Sequence, residues 1–83
     1  MKIAVFADDL TGANATGVRI SKQGFTATTV IRGSSPPDKN YDALCFDTDS
    51  RYEAPETSKK RLIQAMQSIP KDNQPQIYCK RID

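Results

Sequence analysis

Lys2-Ile3-Ala4-Val5-Phe6-Ala7-Asp8-Asp9-Leu10-Thr11-Gly12-Ala13 begins as a short, almost wholly apolar run and ends in two adjacent carboxylates. Residues 2–7 have the length and composition of a strand buried on both faces, as at the centre of a parallel sheet. From about Thr11 to Gln23 the pattern becomes that of a helix. Ala13, Thr16, Gly17 and Ile20 share a small-residue face suited to close packing, and Gly24 stands at the closing position. A buried strand feeding straight into a helix is the first half of a β-α-β unit, which points to an α/β fold.

The rest of the chain continues the alternation. Phe25 to Ile31, rich in Thr and Val, predicts a second strand. Arg32 to Tyr41 is a loop by its Gly, Ser and Pro content, and Asp42 to Asp47 gives a third strand. Pro55 opens a second helix, along which Leu62, Ala65, Met66 and Ile69 recur at i, i+3, i+4 and i+7 before Pro70 ends it. Gln76 to Ile82 is the fourth strand. The order β-α-β-β-α-β predicts a Rossmann-like three-layer arrangement with a mostly parallel sheet of about four strands, ordered 2-1-3-4. The loop 32–41 spans at most roughly 33 Å when extended. That is enough for a parallel crossover without a helix, and an antiparallel second strand stays open.

The 83 residues suit one small domain, and the net charge of +2 is spread without a basic block, so nucleic acid is not an expected partner. No apolar run approaches the roughly 20 residues of a membrane span. The N-terminus lacks a signal-peptide core, which makes the cytoplasm the expected compartment. Cys45 and Cys79 are 34 positions apart, and the chain has no histidine. They read as small hydrophobes kept reduced rather than as metal ligands or a redox pair, so no metal site is expected. Any general base must then be a carboxylate or, failing that, Lys, Tyr or Cys.

Three acidic segments each follow an apolar run: Asp8 to Ala13, Asp47-Thr48-Asp49-Ser50-Arg51, and Lys80-Arg81-Ile82-Asp83. In open α/β sheets ligands collect at the carboxyl ends of the strands, so three such ends predict one polyhydroxy or cationic ligand site. Paired carboxylates repel unless a cation or hydroxyls lie between them. The N–H groups near Thr11 and Gly12 suit an anion, and Arg51 suits a carboxylate. The plainer alternatives are that Asp9 or Thr11 only caps the helix, and that Arg51 pairs with an Asp inside a turn.

Taken together the segments resemble the N-terminal, substrate-binding domain of the four-carbon acid sugar kinase family (threonate, erythronate and 3-oxo-tetronate kinases). That family has Asp-Asp-Leu/Phe-Thr-Gly-Ala/Ser after strand one, matched by Asp8 to Ala13. It has Asp-Thr-Asp/Glu-Ser-Arg after strand three, matched by Asp47 to Arg51. Its Lys-Lys-Ile-Asp motif is matched by Lys80 to Asp83, with Arg81 for the second Lys. Ala15 stands where the family often has Asp, removing one hydroxyl contact. The resemblance implies a fragment, residues 1–83 being the N-terminal part of the sugar-acid-binding domain without the glycine-rich ATP-binding domain. The parent would use ATP and Mg²⁺ to phosphorylate a terminal hydroxyl of a four-carbon sugar acid, and the fragment alone would bind neither tightly. Asp8, Asp9, Thr11, Gly12, Asp47, Ser50, Arg51, Lys80 and Asp83 are the implied substrate-binding residues, with no catalytic base assigned. Arg51 and the helix N-terminus would hold the carboxylate, and Asp8 and Asp9 the hydroxyls.

Two other readings compete. A signalling receiver domain would gather Asp8, Asp9, Asp47 and Lys80 around Mg²⁺. A non-catalytic module would use the fourth strand as an exposed edge for homodimer formation.

Overall fold

The computed structural model describes residues 1–81. Its elements are β1 (Ile3–Ala7), α1 (Leu10–Lys22), β2 (Ala27–Val30), β3 (Ala43–Asp47), α2 (Pro55–Gln67), a single 3₁₀ turn (Lys71–Asn73) and β4 (Ile77–Arg81). The strands form one all-parallel sheet in the order β2-β3-β1-β4, which resolves the direction of the second strand as parallel. The α/β class and four parallel strands are as expected, but the order is 2-3-1-4 and not 2-1-3-4.

The difference has a local cause. The side-chain carboxylate of Asp42 accepts from the Thr26 N–H at 2.9 Å, and the Asp42 N–H donates to Thr26 Oγ1 at 2.9 Å. The Ala43 N–H donates to the Thr26 carbonyl, also at 2.9 Å. This reciprocal lock joins the starts of β2 and β3 directly, so β2 lies on the outer edge of β3 and leaves an edge of β1 open for β4. The link 31–42 has only to return along one short strand, which rises roughly 3.3 Å per residue.

α1 covers one face, its Ala13 packing with Val5, Ala7 and Cys45, and α2 lies over Ala4, Phe6, Leu44, Phe46 and Val30 on the other. The β1-α1-β2 and β3-α2-β4 crossovers run in opposite directions across the sheet. Crossovers of one hand that do so must lie on opposite faces, giving the three layers. Tyr41 of the 31–42 link packs into the α2-side core and takes the place of a helix there. Pro55 sits at the start of α2, Gly24 follows α1 with φ +93°, and Ile69 is buried just beyond α2. Met66, placed on the buried stripe by its spacing, is instead exposed. Phe6 stacks on Phe46 with centroids 5.1 Å apart, an arrangement worth about 1 kcal/mol beyond its area.

Candidate functional site

The turns after β1 and β3 are built as one unit. The Asp8 carbonyl accepts from the Ser50 N–H at 2.8 Å and the Arg51 N–H at 3.2 Å. Thr48 returns the connection, its N–H and Oγ1 both donating to the Ala7 carbonyl at 2.9 and 3.0 Å. The Thr48 and Ser50 hydroxyls lie 2.8 Å apart, and Ser58 Oγ of α2 donates to the Ser50 carbonyl at 3.2 Å. Both hydroxyl residues are buried, and their polar atoms are satisfied within these turns. Such satisfaction is what keeps buried polar groups from costing stability.

Asp9 caps α1. Its Oδ1 accepts from the Gly12 N–H at 2.7 Å, and its Oδ2 pairs with Arg51 Nη1 at 2.9 Å. The Gly12 bond holds this carboxyl below the usual carboxylate range, with further help from Arg51 and Arg81 against the effect of burial. The plain reading of Asp9 as a helix cap therefore holds, whereas the Asp that Arg51 pairs with belongs to the other turn and not to its own. Gly12 fits because an added Cβ would meet Asp9 Oδ1 at 2.9 Å.

Asp47 is buried and uses Oδ1 to accept the Asp49 N–H at 2.8 Å, closing a turn in which Asp49 takes φ 51°. Burial pushes the Asp47 carboxyl up, and the like charges of Asp49 and Asp9 add to it. Asp49 points outward, where it pairs with Arg32 at 3.3 Å, and its carbonyl is held by Arg61. Arg61 also pairs with Glu53 at 3.3 Å, bracing the start of α2.

A cleft of about 490 Å³ opens at the carboxyl ends of β1, β3 and β4. Of the sequence-derived candidates it is lined by Asp8, Ser50, Arg51 and Lys80. Asp9, Thr11, Gly12 and Asp47 do not line it, Thr11 being exposed on the first turn of α1, and Asp83 lies outside the described residues. The spacing did not single out Thr48, Glu53, Ser58, Lys59 and Arg81, which also line it. Ser58 and Lys59 lie one helical turn after Pro55, a position that only the path of α2 over β1 brings to the strand ends. Among the described residues, no hydrogen bond or ion pair joins the side chains of Asp8, Lys59 or Lys80 to another group. One carboxylate and two ammonium groups thus face the cleft unspent, beside hydroxyls already fixed in place. A larger depression of about 630 Å³ lies at the opposite, amino end of the sheet, between residues 34–41 and 68–73. It gathers neither the acidic strand ends nor a cluster of cations.

Among the described residues no group of three or more Asp, Glu, Cys or His is placed to hold a metal ion, and no helix is long and apolar enough to cross a membrane. Asp9 is bonded to Gly12 and Arg51, and Asp47 to the Asp49 N–H.

Comparison with known proteins agrees with the geometry. A D-erythronate kinase of Heliobacterium modesticaldum is 38% identical over 84 residues, covering 98% of this chain and 19% of that protein. A D-threonate kinase of Salmonella typhimurium is 30% identical over 83 residues, covering 100% of this chain and 20% of that protein. The chain thus spans about a fifth of the length of these relatives. No solved structure gives a significant match. The family profile described as the sugar-binding N-terminal domain matches residues 3–83, and the chain belongs to that family.

Proposed function

We propose that this chain is the acceptor-binding part of a kinase that phosphorylates a terminal hydroxyl of a four-carbon sugar acid of the erythronate or threonate type. The observation that carries the proposal is the cleft itself, with Asp8 opposed by Lys59 and Lys80 among the fixed hydroxyls of Thr48, Ser50 and Ser58. A sugar acid has a carboxylate at one end and hydroxyl donors along its length. The ammonium groups suit the first, and the Asp8 carboxylate, an acceptor only, suits the second. Arg51, paired with Asp9, lines the same cleft.

ATP and Mg²⁺ supply and neutralise the transferred phosphoryl group in such kinases. The described residues offer no metal-binding group, and the chain has no glycine-rich phosphate loop. In this reading the nucleotide is held by a part of the parent enzyme outside the fifth spanned here, and this segment orients the acceptor. In that role it contributes positioning, which places the hydroxyl for attack. A small-molecule acid as partner and a cytoplasmic location go with this reading.

The direct test is calorimetric or NMR titration of the chain with D-erythronate and D-threonate, in parallel with the Asp8→Asn variant. Saturable binding that weakens about tenfold or more in the variant is expected, since a hydrogen bond to a charged group contributes about 1.5–3 kcal/mol. Binding unaffected by Asp8→Asn would remove the cleft from consideration.

A further inference from the structure

Arg81 ends β4 in register with Ala7, and its side chain turns to the α1 face of the sheet. Its Nη1 donates to the Gly12 carbonyl at 3.0 Å and to Thr16 Oγ1 at 2.8 Å. Thr16 Oγ1 donates to the same carbonyl at 2.9 Å, so the three groups close a small ring over the first turn of α1. The need for such a fastening is visible in β4. Among the described residues it is bonded to β1 alone, and Ile77 and Tyr78 are about half exposed. Side chains alternate along a strand. What fixes Arg81 on the α1 face therefore fixes Lys80 on the other, across from Phe6 and in the cleft with Asp8.

We infer that Arg81 is a positioning residue which clasps the first turn of α1 to the end of β4 and thereby holds Lys80 in the cleft. Both of its bonds come from one terminal nitrogen, so a lysine ammonium with three donors can replace it. The position thus requires a cationic donor at the α1 turn rather than a guanidinium fork. The ligand-binding arm of the test rests on the acceptor-site reading, whereas the clasp does not.

The experiment compares Arg81→Met, Arg81→Lys and Thr16→Val in the 83-residue chain. Its readouts are the NMR titration midpoint of the Asp9 carboxyl, amide exchange along β4, and binding of D-erythronate and D-threonate. Arg81→Met is expected to raise the Asp9 midpoint, because a nearby cation is gone. It should also speed β4 exchange and weaken acid binding about tenfold, and Arg81→Lys should restore all three. Thr16→Val keeps the charge but removes one acceptor, so it should speed exchange while leaving the Asp9 midpoint in place. That variant decides the matter should Arg81→Met fail to fold. Wild-type exchange in both Arg81→Met and Thr16→Val, or failure of Arg81→Lys to restore the midpoint and exchange, would overturn the inference. If the wild-type chain binds neither acid, the acceptor-site reading fails, and the midpoint and exchange still decide the clasp.

Discussion

Replacing two glycines of α1 by alanine should have opposite outcomes although the chemical change is the same. At Gly17 an added Cβ lies 3.7 Å from Cys45 Sγ, an ordinary contact. Alanine in a helix interior is more favourable than glycine by about 0.5–1 kcal/mol, and a buried methyl adds up to about 0.8 kcal/mol. Because Gly17 is only half-buried, the sum is about 1 kcal/mol, or a rise in Tm of about 4–8 °C for a domain of this size. At Gly12 the added Cβ meets Asp9 Oδ1 at 2.9 Å and Ala7 Cβ at 3.5 Å. The oxygen is not free to retreat, being held 2.7 Å from the Gly12 nitrogen and tied through its carboxylate to Arg51. Overpacking of this kind costs about 1–3 kcal/mol. Offset by the same helix gain, Gly12→Ala loses about 0–2 kcal/mol, and its Tm falls or stays level. Thermal melts followed by far-UV circular dichroism separate the two. A fall in Tm for Gly17→Ala, or a rise for Gly12→Ala equal to that of Gly17→Ala, would refute the reasoning.

Three further outcomes are expected. Asp47 has its carboxyl raised above 3.8, so the fold binds this proton more readily than the unfolded chain, and stability falls as pH climbs from 3.8 through the folded value. Asp47→Asn, which keeps an oxygen for the Asp49 N–H, should raise Tm at neutral pH and leave it unchanged at about pH 3; an equal effect at both would remove the charge as the cause. The Cys45 thiol is buried and pushed up to about 11, while Cys79 is exposed. A thiol reagent should therefore label one site quickly at neutral pH and the other only on unfolding, and rapid double labelling would contradict the packing of Cys45 beneath α1. Lys59→Met should weaken sugar-acid binding about tenfold while moving Tm by less than about 2 °C, and unchanged affinity would place Lys59 outside the contact set.

Much of this was legible because the chain marks its strand ends with charge. Residues 2–7 read as a buried central strand and Ile3–Ala7 form it, since a run of apolar residues without alternation suits only a strand covered on both faces. Pro55 and Gly24 marked helix ends because fixed φ suits a first turn and positive φ a last one. Strand order was less legible. It depends on the Thr26–Asp42 lock, two ordinary residues sixteen positions apart whose pairing has no periodic signature. The site divides in the same way. Spacing identified the turns after β1 and β3, but whether a carboxylate faces outward or caps a helix depends on side-chain direction. Asp8 and Asp9 are neighbours in sequence, yet one lines the cleft and the other is consumed by α1 and Arg51. Lys59 escaped notice because it belongs to no strand end at all.

The Asp8 carbonyl, which accepts from both Ser50 and Arg51, has a consequence for anyone wishing to alter the selectivity of the proposed site. A single backbone oxygen is the hinge pin of two turns that are forty residues apart in the gene. Mutational libraries confined to residues 8–13, or to 47–51, would search half of a joined object, and a shape change accepted by one turn would be resisted by the other. Productive variants should therefore emerge as pairs, and grafts between relatives should succeed when both turns travel together.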